Sequence, residues 1–229
     1  MPDTKFSVAA LREHLRRYLW IYIVGIAICL VGTSLLWTTT APRPTLEETV
    51  TIFLADTYSN PAPLEGIAQS ALEQTQPFDE NLKVVEFQNL QYSEDDYTSS
   101  MLLMTRLAVG EGDAFFASQS AMDALVQSEV LLALDDAVAK GWLGELGLEP
   151  YYATYSDEES GESYTFLAGL KLDSVMALQQ MGVFYNENAY LCVATNGGNV
   201  ETTMKALEYV MTELTEAENA QAEDTEPAA

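Results

Sequence analysis

Nineteen consecutive residues, Leu19 to Trp37, include no Asp, Glu, Lys, Arg or His, and their only titratable side chains, Tyr22 and Cys29, are neutral at pH 7 in their ordinary state. As a helix rising 1.5 Å per residue this run is about 28 Å long, close to the roughly 30 Å of a bilayer's hydrocarbon core. Ten of the nineteen are Leu, Ile or Val, each favouring insertion by about 0.3–0.6 kcal/mol. Trp20 and Trp37 stand at the two ends, where indole rings prefer the interface. The run predicts one transmembrane helix over residues 19–37. A cleaved signal peptide shares the order of basic segment and apolar run. This run is longer than the usual signal core, however, and a cut after Ala41 would set Pro42 beside the scissile bond. Retention in the membrane is the expectation.

Charge gives the orientation. Lys5, Arg12, Arg16 and Arg17 precede the span, and only Arg43 follows it closely. The positive-inside rule puts residues 1–18 in the cytoplasm and everything after the span outside, as a single-pass protein of the cell membrane. Residues 44–229 hold 5 basic and 33 acidic side chains, a formal net charge of −28 within a chain total of −25. Such a surface repels nucleic acid and anionic headgroups, so no nucleic-acid partner is expected. Cys29 and Cys192 are the only cysteines, and with one in the span no intrachain disulfide is expected. The chain also lacks an N-x-S/T sequon. Both features suit a bacterial extracytoplasmic domain.

Residues 38–48 read as an extended stalk with two prolines. Residues 49–215 read as a folded α/β domain. Val50–Leu54 predicts a buried strand. Pro63 and the spacing of Leu64, Ile67, Ala68, Ala71 and Leu72 predict an amphipathic helix, and 82–87 a second strand at the distance of a βαβ unit. The unit repeats, with Tyr97, Met101, Met104 and Ala108 on one helical face, a cap at Ser93, a stop at Gly110 and a third strand over 113–117. Two right-handed crossovers predict a three-layer lobe with a mostly parallel sheet. A helix over 118–127 follows, then a short helix anchored by Trp142. Residues 149–163 read as a surface excursion. Strands are expected over 164–172 and 190–195, a short helix over 173–181, and a last helix capped by Asn199 with Met204, Leu207, Met211 and Leu214 inward. Residues 216–229, acidic and without large apolar groups, read as a disordered tail.

With these elements in order, the stretch TVTIFLADTYSN and the stretch EDDYTSSMLLMTRLAVGEGDAFFASQSAMDALVQSEVLLALDDAVAKGWL resemble the N-terminal lobe of bacterial extracellular solute-binding proteins of ABC importers. YTFLAGLKL is similar to that family's crossover strand, and YLCVATNGGNVETTMKALEYVMTEL to its late strand and helix. The resemblance covers about residues 49–215 and implies a periplasmic-binding-protein-like fold, a small polar solute as ligand and a membrane permease or other membrane protein as partner. Only about 20 residues separate the crossover-like strand from the late strand, so the second lobe of the family is expected to be missing or reduced to a stub.

The side-chain inventory restricts chemistry. The sole histidine, His14, precedes the span, so the outer domain has no imidazole to activate a nucleophile or complete a zinc site. No catalytic residue, metal or cofactor is assigned, and the chain is expected not to be an enzyme; a two-carboxylate glycosidase is a distant third reading. SDEESGES lacks the alternating oxygen ligands of a calcium loop. A ligand site is expected at the C-terminal ends of the strands, where open α/β sheets present their loops. The candidates are Asp56, Thr57, Tyr58, Ser59 and Asn60 after the first strand, and Ser118 and Gln119 after the third. Their hydroxyls, amides and single ring suit a neutral solute such as a sugar. The alternative is a degenerate scaffold that contacts another protein or the cell wall.

Overall fold

The computed structural model describes residues 8–40, 44–139, 141, 147–156, 163–184, 188–195, 197 and 199–225. Two compact units divide the chain between Arg43 and Pro44. The first is one helix, α1 (Val8–Thr40). Its segment Arg16–Thr38 has a mean hydropathy of 2.3 and is unburied within the unit, so it is long and apolar enough to cross a bilayer, as an anchor or signal helix would be. The helix begins 11 residues before the expected span and runs to Thr40, over the first three residues assigned to the stalk. Beyond it, residues 46–48 form a 3-10 turn rather than extended chain.

The second unit is an α/β domain. In chain order it comprises β1 (Thr49–Asp56), α2 (Glu65–Thr75), β2 (Val84–Gln91), α3 (Tyr97–Ala108), β3 (Ala114–Ser118), α4 (Gln119–Gln127), α5 (Asp135–Ala139), β4 (Pro150–Ser156), β5 (Ser163–Lys171), α6 (Met176–Gln180), β6 (Ala189–Val193) and α7 (Val200–Thr225). The strands make one six-stranded sheet in the order β2-β1-β3-β6-β5-β4. β1 pairs in parallel with β2 and β3, as two βαβ crossovers require. β6 then enters antiparallel beside β3, and β5 and β4 continue antiparallel beyond it. Four of the six strands share a direction, so the sheet is mixed and mostly parallel.

Side-chain alternation along each strand supplies both faces. Val50, Ile52 and Leu54 of β1, Ala114 and Phe116 of β3, and Leu191 and Val193 of β6 share a core with α2, α6 and α7. Phe53 and Ala55, Phe115 and Ala117, and Tyr190 and Cys192 share the opposite core with α3 and α4. Helices on both faces make three layers. The expected buried positions of the last helix are met: Met204, Leu207, Met211 and Leu214 are each at most 1% exposed. Asn199 Oδ1 accepts from Thr202 N at 3.3 Å, as a cap should.

Four expectations need correction. Residues 150–156 are not part of a surface excursion: they form β4, an edge strand paired with β5 through a bulge at Tyr151/Tyr152. Its alternation of Tyr, Ala and Thr leaves Tyr152 and Thr154 in solvent and turns Ala153 inward. The face of α3 that carries Tyr97, Met101, Met104 and Ala108 is exposed, while Ser99, Leu103 and Leu107 pack inward. Asp96, not Ser93, caps this helix, accepting from Thr98 N at 3.0 Å. Finally, α7 runs past residue 215 to Thr225, over most of the stretch read as a disordered tail. Trp142, the loop 157–162 and residues 226–229 lie outside the described residues.

Candidate functional site

β1 and β3 are parallel neighbours with Ala55 opposite Ala117, so Asp56 and Ser118 end side by side and the two predicted loops leave the sheet together. What the side chains do there differs from the expectation. Asp56 is not a loop residue: it closes β1, is 1% exposed, and its Oδ1 accepts from Thr57 N at 2.7 Å. Its carbonyl accepts from Tyr92 N at 3.0 Å. Ser59 is buried, with Oγ 3.1 Å from Leu54 O and 3.0 Å from Asn89 Oδ1, while Asn89 Nδ2 donates to Ser59 O at 3.0 Å. Asn60 N donates to Val183 O at 3.0 Å, and Asn60 Oδ1 accepts from Ala62 N at 3.2 Å. These bonds tie the loop to β2 and to the turn after α6. Only Thr57 and Tyr58 are left facing solvent, Tyr58 at 61% exposure.

On the β3 side Ser118 closes the strand, buried, with its hydroxyl 3.3 Å from Ser120 Oγ. Gln119 opens α4 and is exposed. Its Nε2 donates to Asp123 Oδ1 at 2.8 Å and reaches Tyr151 Oη at 3.5 Å, and its Oε1 accepts from Tyr190 Oη. The Tyr151 and Tyr190 rings pack at 4.7 Å between centroids. Burial, with the neighbouring Tyr151 and Asp173, pushes the Tyr190 phenol above its ordinary 10.0, which keeps it a neutral donor. Opposite Tyr190 in register, Lys171 donates to Glu149 at 2.7 Å. Sequence reasoning missed Tyr151 and Tyr190 because they reach this end only through the antiparallel entry of β6 and β4. An amide held between two phenols can orient a neutral polar molecule.

A cleft of about 690 Å³ opens at the opposite, N-terminal end of the strands. The turn before β1, the loop before β2 and the start of α7 line it, with Glu47, Glu48, Asp79 and Glu201 as its acids and Phe78 as its ring. Asp79 is a staple here. Its Oδ2 accepts from Thr202 Oγ1 at 2.8 Å and from Asn199 Nδ2 at 3.4 Å, and its Oδ1 from Asn81 N at 3.0 Å. The Thr202 hydroxyl first, then the Asn81 amide, hold its carboxyl below the ordinary 3.8. Lys83 and the Thr45 amide likewise hold Glu48 below 4.5. No sequence motif pointed to this cleft, since its parts come from three separated turns. Among the described residues no group of three or more His, Cys, Asp or Glu is placed to hold a metal ion.

No family model matches the chain. Nor does any curated protein or solved structure match it. The likeness to solute-binding proteins therefore rests on the order of the residue motifs alone.

Proposed function

We propose that the chain is a membrane-tethered, non-catalytic module whose acidic α/β domain lies outside the cell and contacts another protein. The observation that carries this reading is the apolar face of α3: Tyr97 is 76% exposed, Met101 54% and Met104 42%, on a helix whose other face is fully packed. Apolar residues gathered on one exposed face, rather than scattered, mark an interaction surface. At the end of the sheet where a solute was expected, Ser59, Asn60 and Ser118 are turned to internal bonds, which favours the scaffold alternative over a solute receptor.

A photo-reactive phenylalanine analogue placed at Met101 of the full chain, in its native cells, tests this. A discrete adduct at 101 but not at Glu201, a remote exposed position, is the expected result. Illumination that yields no adduct at 101 overturns the reading. Membrane attachment is tested separately: alkaline carbonate should leave the intact chain in the membrane pellet, and protease added to whole cells should remove the domain.

A second reading is supported by the Gln119 trio: weak binding of a neutral polar solute such as a sugar between Tyr58 and Gln119. A solute at 100 times its dissociation constant would raise stability by about 2.7 kcal/mol, visible as a thermal shift, and a flat response to a panel of sugars would remove this reading.

A further inference from the structure

Tyr97, Met101, Met104 and Ala108 recur at i, i+4, i+7 and i+11, which places them in one line along α3. Methionine's unbranched thioether moulds to irregular apolar partners, so such a line suits a helix laid along it. The surroundings are anionic. Glu94, Asp95 and Asp96 are exposed at the start of the helix. Ser128 Oγ lies 3.4 Å from Met104 Sδ, which sets the end of α4, and exposed Glu129 with it, beside the stripe. The one cation of α3, Arg106, is turned to other work: it pairs with Glu111 at 3.0 Å and sits 5.3 Å over the Phe53 ring.

Every described basic residue of the domain is similarly engaged. Lys83 pairs with Glu48, Lys171 with Glu149 and Lys205 with Glu208. Against 33 acidic residues in 44–229, the described surface therefore offers a partner a strongly negative net charge. A second copy would bring its own −28, and an anionic lipid surface would repel it too.

We propose that the α3 face docks a cationic amphipathic helix of a partner protein, with apolar residues on the Tyr97–Met101–Met104 line and Lys or Arg side chains toward Glu94, Asp95 and Glu129. This rests on the reading that the domain contacts a protein through α3, and it adds that partner's chemistry.

The test uses the full chain in phosphatidylcholine nanodiscs, with empty discs as blank. The probe is a dye-labelled 18-residue peptide with Leu along one helical face and Lys on the other; a peptide with Glu in place of every Lys is its counterpart. The Lys peptide should bind, and its affinity should fall at least tenfold between 50 and 500 mM NaCl. The double variant Met101→Ser, Met104→Ser keeps every charge and changes only exposed positions; it should lose at least tenfold. The triple variant Glu94→Gln, Asp95→Asn, Glu129→Gln should lose at least fivefold and respond less to salt. Equal binding of the Glu peptide, or full affinity in the Met variant, would overturn the proposal, the latter by revealing unselective attraction to a polyanion. An adduct at position 101 in cells together with equal binding of the Glu peptide would leave the contact standing and its cationic chemistry refuted; the same adduct together with full affinity in the Met variant would leave the contact standing and the α3 line refuted as the seat of a cationic helix.

Discussion

Asp113 joins three strands through one residue. Its Oδ2 accepts from Thr51 N at 2.8 Å, its own N–H donates to Thr51 O at 2.9 Å, and its carbonyl accepts from Ala194 N at 2.9 Å. The side-chain bond is buried, so Asp113→Ala leaves the Thr51 amide without that acceptor at a cost of about 1–3 kcal/mol. Denaturant titration should show a lower midpoint at unchanged slope. The preceding Gly112 has φ +92°, and a Cβ there would meet the Phe53 ring at 2.6 Å, so the pair forms one tight entry into β3. This Gly-Asp pair lies within the stretch that carries the family resemblance, but its physical task depends on Thr51, 62 residues away, and was not legible locally. Cys192 was legible: a thiol between Leu191 and Val193 in an apolar strand should be inert. It is fully buried, and burial pushes its pKa far up. In a Cys29→Ser chain, maleimide should label Cys192 only after unfolding; native labelling would refute that burial.

At the scale of elements, the helices that cover a strand on one side were read well, because apolar spacing such as Leu64, Ile67, Ala68, Ala71 and Leu72 has one helical solution. α3 was read with the wrong side inward. It has apolar residues on both sides, and periodicity alone does not say which side meets the sheet. Leu103 and Leu107 do so beneath a cap at Asp96, leaving the methionines outside. β4 went unread because PYYATYS resembles a polar turn until Phe166 and Leu167 of β5 are seen opposite it. The link between α7 and the loop before β2 carries a pH signature. Asp79 has its carboxyl pKa lowered in the folded state, so its contribution is present above the ordinary 3.8 and is lost as pH falls through the lower folded value. Stability should therefore drop on acidification below about pH 4. Asp79→Asn should show a smaller drop between pH 5 and pH 3 than the parent in parallel denaturant titrations; equal drops would refute the role.

Across the whole molecule, charge opposes packing. The domain's described cations are each ion-paired, and the surplus carboxylates repel one another over the surface. Screening should relieve that strain: the melting temperature of the full chain should rise from 50 to 500 mM NaCl, by about 2–4 °C for each kcal/mol relieved at this size. A fall would mean that the four ion pairs outweigh the net repulsion. The overall class, α/β with helices on both faces, was readable from alternating strand and helix patterns. The mixed sheet was not, because strand identity is a local property and strand order is not. That order has a further consequence for biosynthesis. β6, complete only at Val193, fills the slot between β3 and β5. Until it emerges from the ribosome, β3, with every residue buried in the finished domain, has one side without its neighbour. An incomplete chain is thus an adhesive one, and a protein interrupted before residue 189 should be found by chaperones and proteases rather than accumulate as a stable fragment.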